Sequence, residues 1–274
     1  MTFEYIDIHS HLHFPEFDDD REEVIKKMKH EKIAAITIGT DLGTSKQCVE
    51  LAEKHSNIFA CVGQHPGSLT VDSVFEEKLV KLSDNPRVVA IGECGLDYFG
   101  LSQDDEDIKR IQKTIFEYHI DLALSKDLPL MLHIRGTKRG DQDAYCDALV
   151  ILEHHYKLSG GKLRGNAHFF AGDMAVLNRF LAIGFTLSFN GVITFTKDYD
   201  GFVRFPQLDM IMSETDCPLL APVPHRGKRN SSLYVPEVVK KIAEIRNESE
   251  TGVKIALIHN ALKQFPVIKR SIAR

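Results

Sequence analysis

Asp7-Ile8-His9-Ser10-His11 sets two imidazoles two residues apart at the end of a short β-prone run, Tyr5, Ile6 and Ile8. Side chains on a strand alternate faces, so His9 and His11 are expected on one side, close enough to grip one cation. Neutral ring nitrogens suit Zn, Mn or Fe at least as well as Mg. A single pair of this kind is weak ground for a metal site. The same event recurs, however, with Glu93 among glycines in Ala90-Ile91-Gly92-Glu93-Cys94-Gly95, then with His133, His168 and Asp216, each at the end of an apolar run. An ionised acid on a buried strand needs a cation to offset its desolvation, which makes Glu93 a candidate bridging ligand. His9, His11, Glu93, His133, His168 and Asp216 together suffice for a pair of divalent ions, Mg, Mn or Zn, that share Glu93. Taken singly, His133 or His168 could cap a strand end and Asp216 the turn before Pro218; the recurrence of six such residues at the same end of their strands weighs against coincidence.

The elements that must position these residues alternate. Apolar runs at 5–8, 34–38, 58–62, 88–91, 130–132, 163–167, 185–188 and 208–212 read as strands. Between them lie helical patterns at 21–31, with Asp20 as N-cap and Val24, Ile25 and Met28 on one face, through Val49, Leu51 and Ala52, and at 74–82, 106–125, 144–156 and 174–182. A weak return runs through Phe202, and helices at 235–245 and 253–263 close the chain. Short apolar strands separated by amphipathic helices mean a parallel sheet covered by helices, and about eight such units close into a TIM barrel. A doubly wound open sheet is the alternative. The barrel is favoured because its active site lies at the C-terminal ends of the strands, where the unusual residues fall.

The length of 274 residues fits one α/β barrel domain spanning residues 1–274. A composition 43% hydrophobic and 27% charged is that of a globular chain with a sizeable core, and no stretch has the apolar length of a membrane span. Met1 to His11 lacks a basic region followed by an apolar run, so the expected compartment is cytoplasmic. Five cysteines without CxxC spacing read as thiols, not a disulfide framework. A net charge of -5 argues against coating a polyanion and leaves room for a local basic patch.

The runs IDIHSHLH, VGQHP, AIGECGLDY, LHIR, AHFF, LSFNGVITF and SETDCPLLAP followed by RGKRN resemble, in order and over nearly the whole chain, the motifs of the TatD family of metal-dependent deoxyribonucleases within the amidohydrolase superfamily. The resemblance implies a distorted TIM barrel and a metal-dependent 3′ to 5′ exonuclease acting on DNA, either single strands or 3′ ends. It also implies that one ion takes His9, His11 and Asp216 and the other His133 and His168, with Glu93 between. Three places depart from the pattern: in the first motif Ser10 stands where the family usually has Cys or a small residue and His13 where it has Asp, the loop Arg135-Gly-Thr-Lys-Arg139-Gly is longer, and Leu257-Ile-His259-Asn260 replaces Thr-x-x-Asn.

The chemistry expected is two-metal phosphodiester hydrolysis, with Asp216 taking the proton of the attacking water. Arg135, Arg226, Lys228 and Arg229 are candidates to pair with phosphate oxygens, and His65 to approach the scissile group. Glu214, in strand phase with Asp216, is a candidate partner of a ligand, and Asp97 a loop anchor. Tyr98 and Phe170 read as core aromatics. His30, His55, His119, His154 and His155 read as helix-surface residues, and His13, His225 and His259 remain open. Rival readings are a phosphatase or deacylase of the superfamily acting on a small substrate, and a metal-binding subunit of a larger assembly. Monomeric action is expected.

Overall fold

The computed structural model describes residues 3–102 and 104–272. Eight parallel strands are hydrogen-bonded in sequence order: β1 (Tyr5–Ser10), β2 (Ile33–Ile38), β3 (Ile58–Val62), β4 (Val88–Asp97), β5 (Leu130–Arg135), β6 (Gly165–Ala167), β7 (Thr186–Phe189) and β8 (Ile211–Ser213). Helices α1 (Arg21–His30), α2 (Leu42–Lys54), α3 (Lys78–Leu82), α4 (Glu106–Lys126), α5 (Asp143–Leu158), α6 (Met174–Ala182) and α7 (Asp200–Arg204) lie between them, and α8 (Val235–Arg246), α9 (Glu250–Gln264) and α10 (Pro266–Ile272) follow. A strand order that never reverses is that of a TIM barrel, not of a doubly wound sheet. The seam between β8 and β1 is bridged just past the strands, where Asp216 N–H donates to His9 O at 2.9 Å and His11 N–H to Cys217 O at 2.8 Å. The buried carboxylate of Asp7 holds the same seam, accepting from the Thr215 N–H at 2.9 Å and the Thr215 hydroxyl at 2.6 Å. Among the described residues, no helix is long and apolar enough to cross a membrane.

Strand alternation builds two apolar layers. Ile33, Ala35, Ile58 and Ala60 face outward with Val24 and Ile25 of α1 and Val49 of α2. Ile36, Ile38, Phe59 and Met131 face the barrel interior, where Phe265 and Ile268 from the chain's last helical stretch join them. Each such large side chain contributes about 1.5–3 kcal/mol on burial. The metal-competent residues sit at the open end of this interior.

Several boundaries differ from the sequence reading. The helix expected at 74–82 begins only at Lys78, because the Gln64 side chain holds the preceding segment out of the helix, donating to Val74 O and accepting from Glu76 N–H. Residues 163–164 lie outside β6, and 208–210 form a 3-10 turn before β8. Asp20 occupies the N-cap position of α1 but makes no capping bond, since its carboxylate is bound instead by the Arg229 guanidinium at 2.8 and 2.6 Å. Arg229 also donates to Glu16 O and lies over the Phe17 ring, so it ties the turn after β1 to the loop after β8 and is not a free phosphate ligand.

Candidate metal centre

Two strands break their regular pairing where they carry ligands. In β1 the register against β2 shifts between Asp7 and Ser10, and in β4 the register against β5 shifts between Ile91 and Cys94. A bulge of this kind turns a side chain off its alternating face. Ile91 and Cys94 both stay with the outer layer, while Glu93 turns toward the histidines. Gly92 makes this possible: at φ +147 its position would bring a Cβ within 2.4 Å of Met131 O, so no side chain fits there. Glu93 therefore lies inside β4, not at its end, and the strand runs on to Asp97.

The carboxylate of Glu93 is surrounded by imidazoles. Its Oε2 stands 3.6 Å from His9 Nε2 and 3.9 Å from His11 Nε2. Its Oε1 stands 3.0 Å from His133 Nδ1, 3.0 Å from His168 Nε2 and 3.5 Å from His65 Nε2. Asp216 Oδ1 lies 3.4 Å from His11 Nε2 and 3.8 Å from His9 Nε2. Outer partners set the rings. His11 Nδ1 donates to Ile38 O at 3.0 Å, which leaves Nε2 as the free lone pair. His133 Nε2 meets Asp97 Oδ2 at 2.9 Å. His168 Nδ1 stands 3.5 Å from Glu214 Oε1, and Glu214 accepts from the Ser188 hydroxyl at 2.6 Å and from Phe169 N–H at 2.9 Å.

Burial opposes every charge here, and the neighbours decide which survive. Burial would raise Glu93, but the His65, His168 and His9 rings and the His133 hydrogen bond hold it well below the usual carboxylate range. Burial would likewise lower His168, yet Glu93 and Glu214 push it well above its ordinary value. His9 is pushed down, first by burial and then by the charge of His168. Asp216 is lowered despite its burial, by the hydrogen bond with His11 and by the His9 and His168 rings. Burial takes His65 down to about 4. The neighbouring thiols of Cys94 and Cys217 are both pushed up by burial, Cys217 to about 12, so neither is a thiolate donor.

A divalent cation fits what these residues lack. His9 is fully buried, and among the described residues neither of its ring nitrogens has a hydrogen-bond partner. His9, His11 and Glu93 offer ligand atoms within 4.8 Å of one another, as do Glu93, His133 and His168. Asp216 also groups with His9 and His168 within 4.8 Å, so it reaches both neighbours of Glu93. All six residues proposed as ligands are brought together at one mouth.

The substrate candidates divide. His65 lies inside the centre. Arg135 and Arg226 are exposed, their guanidinium groups 3.6 Å over the rings of Phe99 and Phe195. Lys228 is exposed, and among the described residues neither it nor Arg226 pairs with a carboxylate. Tyr98 and Phe170 are buried, and the Tyr98 hydroxyl donates to Asp147. Asp97 holds a ligand ring as well as the Phe99 N–H, a role for which its position four residues after Glu93, in the same strand phase, was the available signal.

His119 is not a surface residue. It is fully buried in α4, where Nδ1 donates to Ile115 O at 2.7 Å and Nε2 accepts from Gln64 N–H at 3.0 Å, so it anchors the residue next to His65. Burial takes it down to about 4 from 6.5. The unfolded chain protonates His119 near its ordinary value while the folded chain keeps it neutral. The resulting stability is fully present above about pH 6.5 and is lost as pH falls toward about 4. Between about pH 7 and about pH 5, metal-free His119→Leu is therefore expected to lose about 2 kcal/mol less stability than the parent protein. Urea unfolding of both at the two pH values measures this, and equal losses would show that the ring titrates alike in both states.

The family described as TatD related DNase matches residues 6–266 of the chain. A Bacillus subtilis (strain 168) protein, the uncharacterized metal-dependent hydrolase YabD, is 36% identical over 269 residues, which cover 95% of this chain and 98% of that protein. The crystal structure of YjjV, a TatD homolog from Escherichia coli K12, matches with a TM-score of 0.83 at 26% identity, covering 97% of this chain and 99% of that one. A hydrolase TatD family protein from Entamoeba histolytica shares the fold, with a TM-score of 0.78 at 19% identity and coverage of 97% and 99%.

Proposed function

Because the chain belongs to the family of TatD-related DNases and is a metal-dependent hydrolase of that family, we propose that it removes nucleotides from the 3′ ends of DNA by hydrolysing phosphodiester bonds at a two-ion centre. One observation carries the two-ion reading. The two oxygens of Glu93 face different histidine pairs, His9 with His11 and His133 with His168. Bound divalent ions supply neutralisation of the phosphoryl oxygens and a lowered pKa for water. A nitrogen-rich donor set favours Mn or Zn over Mg on affinity, and the supply in the cell selects among them.

The chain's own residues do the rest. His9, His11, Glu93, His133, His168 and Asp216 hold the ions. Asp216, kept ionised by its imidazole neighbours, accepts the proton of the attacking water. The Ile38 carbonyl and the Asp97 carboxylate orient His11 and His133. Arg135, Arg226 and Lys228, exposed around the mouth, pair with phosphate oxygens of the strand. Their exposure suits a flexible single strand or a frayed 3′ end. The protein acts in this reading as a cytoplasmic monomer built of one barrel domain.

The test is a 5′-labelled single-stranded DNA oligonucleotide incubated with added Mg or Mn. A descending ladder that chelator abolishes is the expected result. An intact oligonucleotide after incubation with metal-loaded protein would overturn the reading in favour of a small phosphorylated or acylated substrate.

A further inference from the structure

His65, Asp97 and His133 offer donor atoms within 4.8 Å of one another, which by proximity alone resembles a third cation position. The hydrogen bonds argue otherwise. His65 caps the short 3-10 turn Pro66–Ser68 with its ring, Nδ1 accepting from Gly67 N–H at 3.0 Å. A ring nitrogen that accepts an N–H carries no proton and has its lone pair engaged, so the neutral imidazole holds its hydrogen on Nε2. That nitrogen is the one facing Glu93 Oε1, at 3.5 Å. A protonated nitrogen donates a hydrogen bond; it cannot ligate a cation. Gly67 is what allows the ring to lie so close to the turn. A Cβ there would stand 3.1 Å from His65 Cε1 and 3.2 Å from Asp97 Oδ2, tighter than ordinary contact.

His65 also stands on a particular flank. Asp216 meets His11 and His9 and lies within 4.8 Å of a His168 donor, so it stands toward the Oε2 end of Glu93, whereas His65 meets Oε1 beside His133. In displacement at phosphorus the attacking and leaving oxygens are roughly in line on opposite sides. Water that loses its proton to Asp216 enters on one flank, and the leaving oxygen departs on the other. Resting on the phosphodiesterase reading above, we propose that His65 is a catalytic residue whose Nε2–H donates a hydrogen bond to the 3′ oxygen leaving phosphorus. The water oxygen forms the new P–O bond, and the P–O3′ bond breaks with its electron pair passing to O3′. The water's proton goes to Asp216, and O3′ is protonated from solvent as Asp216 returns its proton there. His65 keeps its proton throughout, because losing it would leave an imidazolate, and Gly67 N–H occupies the nitrogen that would otherwise take up another.

Two phosphodiesters with different leaving groups separate this role from simple binding: the DNA oligonucleotide, whose O3′ alkoxide needs help, and the p-nitrophenyl ester of thymidine 5′-phosphate, whose phenolate does not. His65→Ala is expected to lose about 10²- to 10³-fold in kcat on the oligonucleotide and less than about tenfold on the nitrophenyl ester. His65→Gln, which keeps a neutral N–H donor, is expected to recover at least about tenfold of the oligonucleotide loss. Metal content is expected to be that of the parent protein in both variants. Equal losses on the two substrates, or an ion lost with the ring, would overturn the proposal. Hydrolysis of neither substrate by the metal-loaded parent would instead overturn the reading on which it rests. A readout without turnover is the ¹⁵N spectrum of the metal-free protein, in which His65 is expected to carry its proton on Nε2; a proton on Nδ1 would overturn the assignment of the donor.

Discussion

In Glu93→Gln, turnover is expected to fall by about 10⁴-fold or more, with the divalent ions of both histidine pairs lost together. The reason is that, among the described residues, Glu93 is the one carboxylate whose two oxygens face both pairs, and it is 3% exposed, so no solvent dipole replaces it. The neutral amide keeps the shape of the side chain and removes the charge that the surrounding rings hold in place. Its nitrogen end would also turn an N–H toward one set of ring nitrogens that now faces an acceptor. Elemental analysis of the purified variant beside its rate on the oligonucleotide measures both effects. Retention of both ions with full turnover would remove Glu93 from the centre, and loss of only one ion would remove its bridging role.

Asp216→Asn is expected to separate what Glu93→Gln joins. Most of the metal stays, because the histidines and Glu93 remain, while kcat falls by about 10²- to 10⁴-fold with KM little changed. Asp216 sits at φ 55, a left-handed conformation that Asn also tolerates, so the backbone of the turn before Pro218 need not move. Its N–H still reaches His9 O across the seam. What the amide lacks is a lone-pair charge able to take the proton of water. A variant with unchanged kcat would sink the proton-acceptor role and leave Asp216 as a ligand only. A variant that lost metal in step with kcat would do the same, by making the loss one of binding. The two substitutions together therefore assign the carboxylates: one to holding the centre, the other to the chemical step.

Much of the barrel was legible because strand and helix periods differ, and the apolar runs that alternate with amphipathic stretches matched all eight strands in place. The ligand residues were legible for a related reason: imidazole and carboxylate groups at the ends of buried strands are costly there unless something binds them. The boundaries that were missed are those set by distant side chains. Gln64 unwinds the start of the helix expected at 74 by bonding Val74 and Glu76, and no local pattern announces that contact. Arg229, read as a free cation beside Arg226 and Lys228, is consumed by Asp20, more than two hundred residues away, and the same pair removes Asp20 from the cap of α1. The sequence places His119 on the surface of an amphipathic helix; a helix period assigns residues to faces but does not say that Gln64 N–H waits opposite one of them.

By itself, the sequence determined the alternation of eight strands with helices, the family to which the chain belongs and the set of metal-competent residues, since each depends on residue type and spacing along the chain. Tertiary structure alone decided how those residues are aimed. The register slip in β4 turns Glu93 off the alternation that spacing predicts, and it exists because of pairing with β5. The division of Glu93 between two histidine pairs, the Asp97 contact that orients His133 and the Gly67 bond that leaves a proton on His65 Nε2 are likewise products of closure. Residue type states which donors a chain owns; hydrogen bonds made only when the barrel closes decide which nitrogen keeps its lone pair, and so which groups bind a cation and which donate to a substrate.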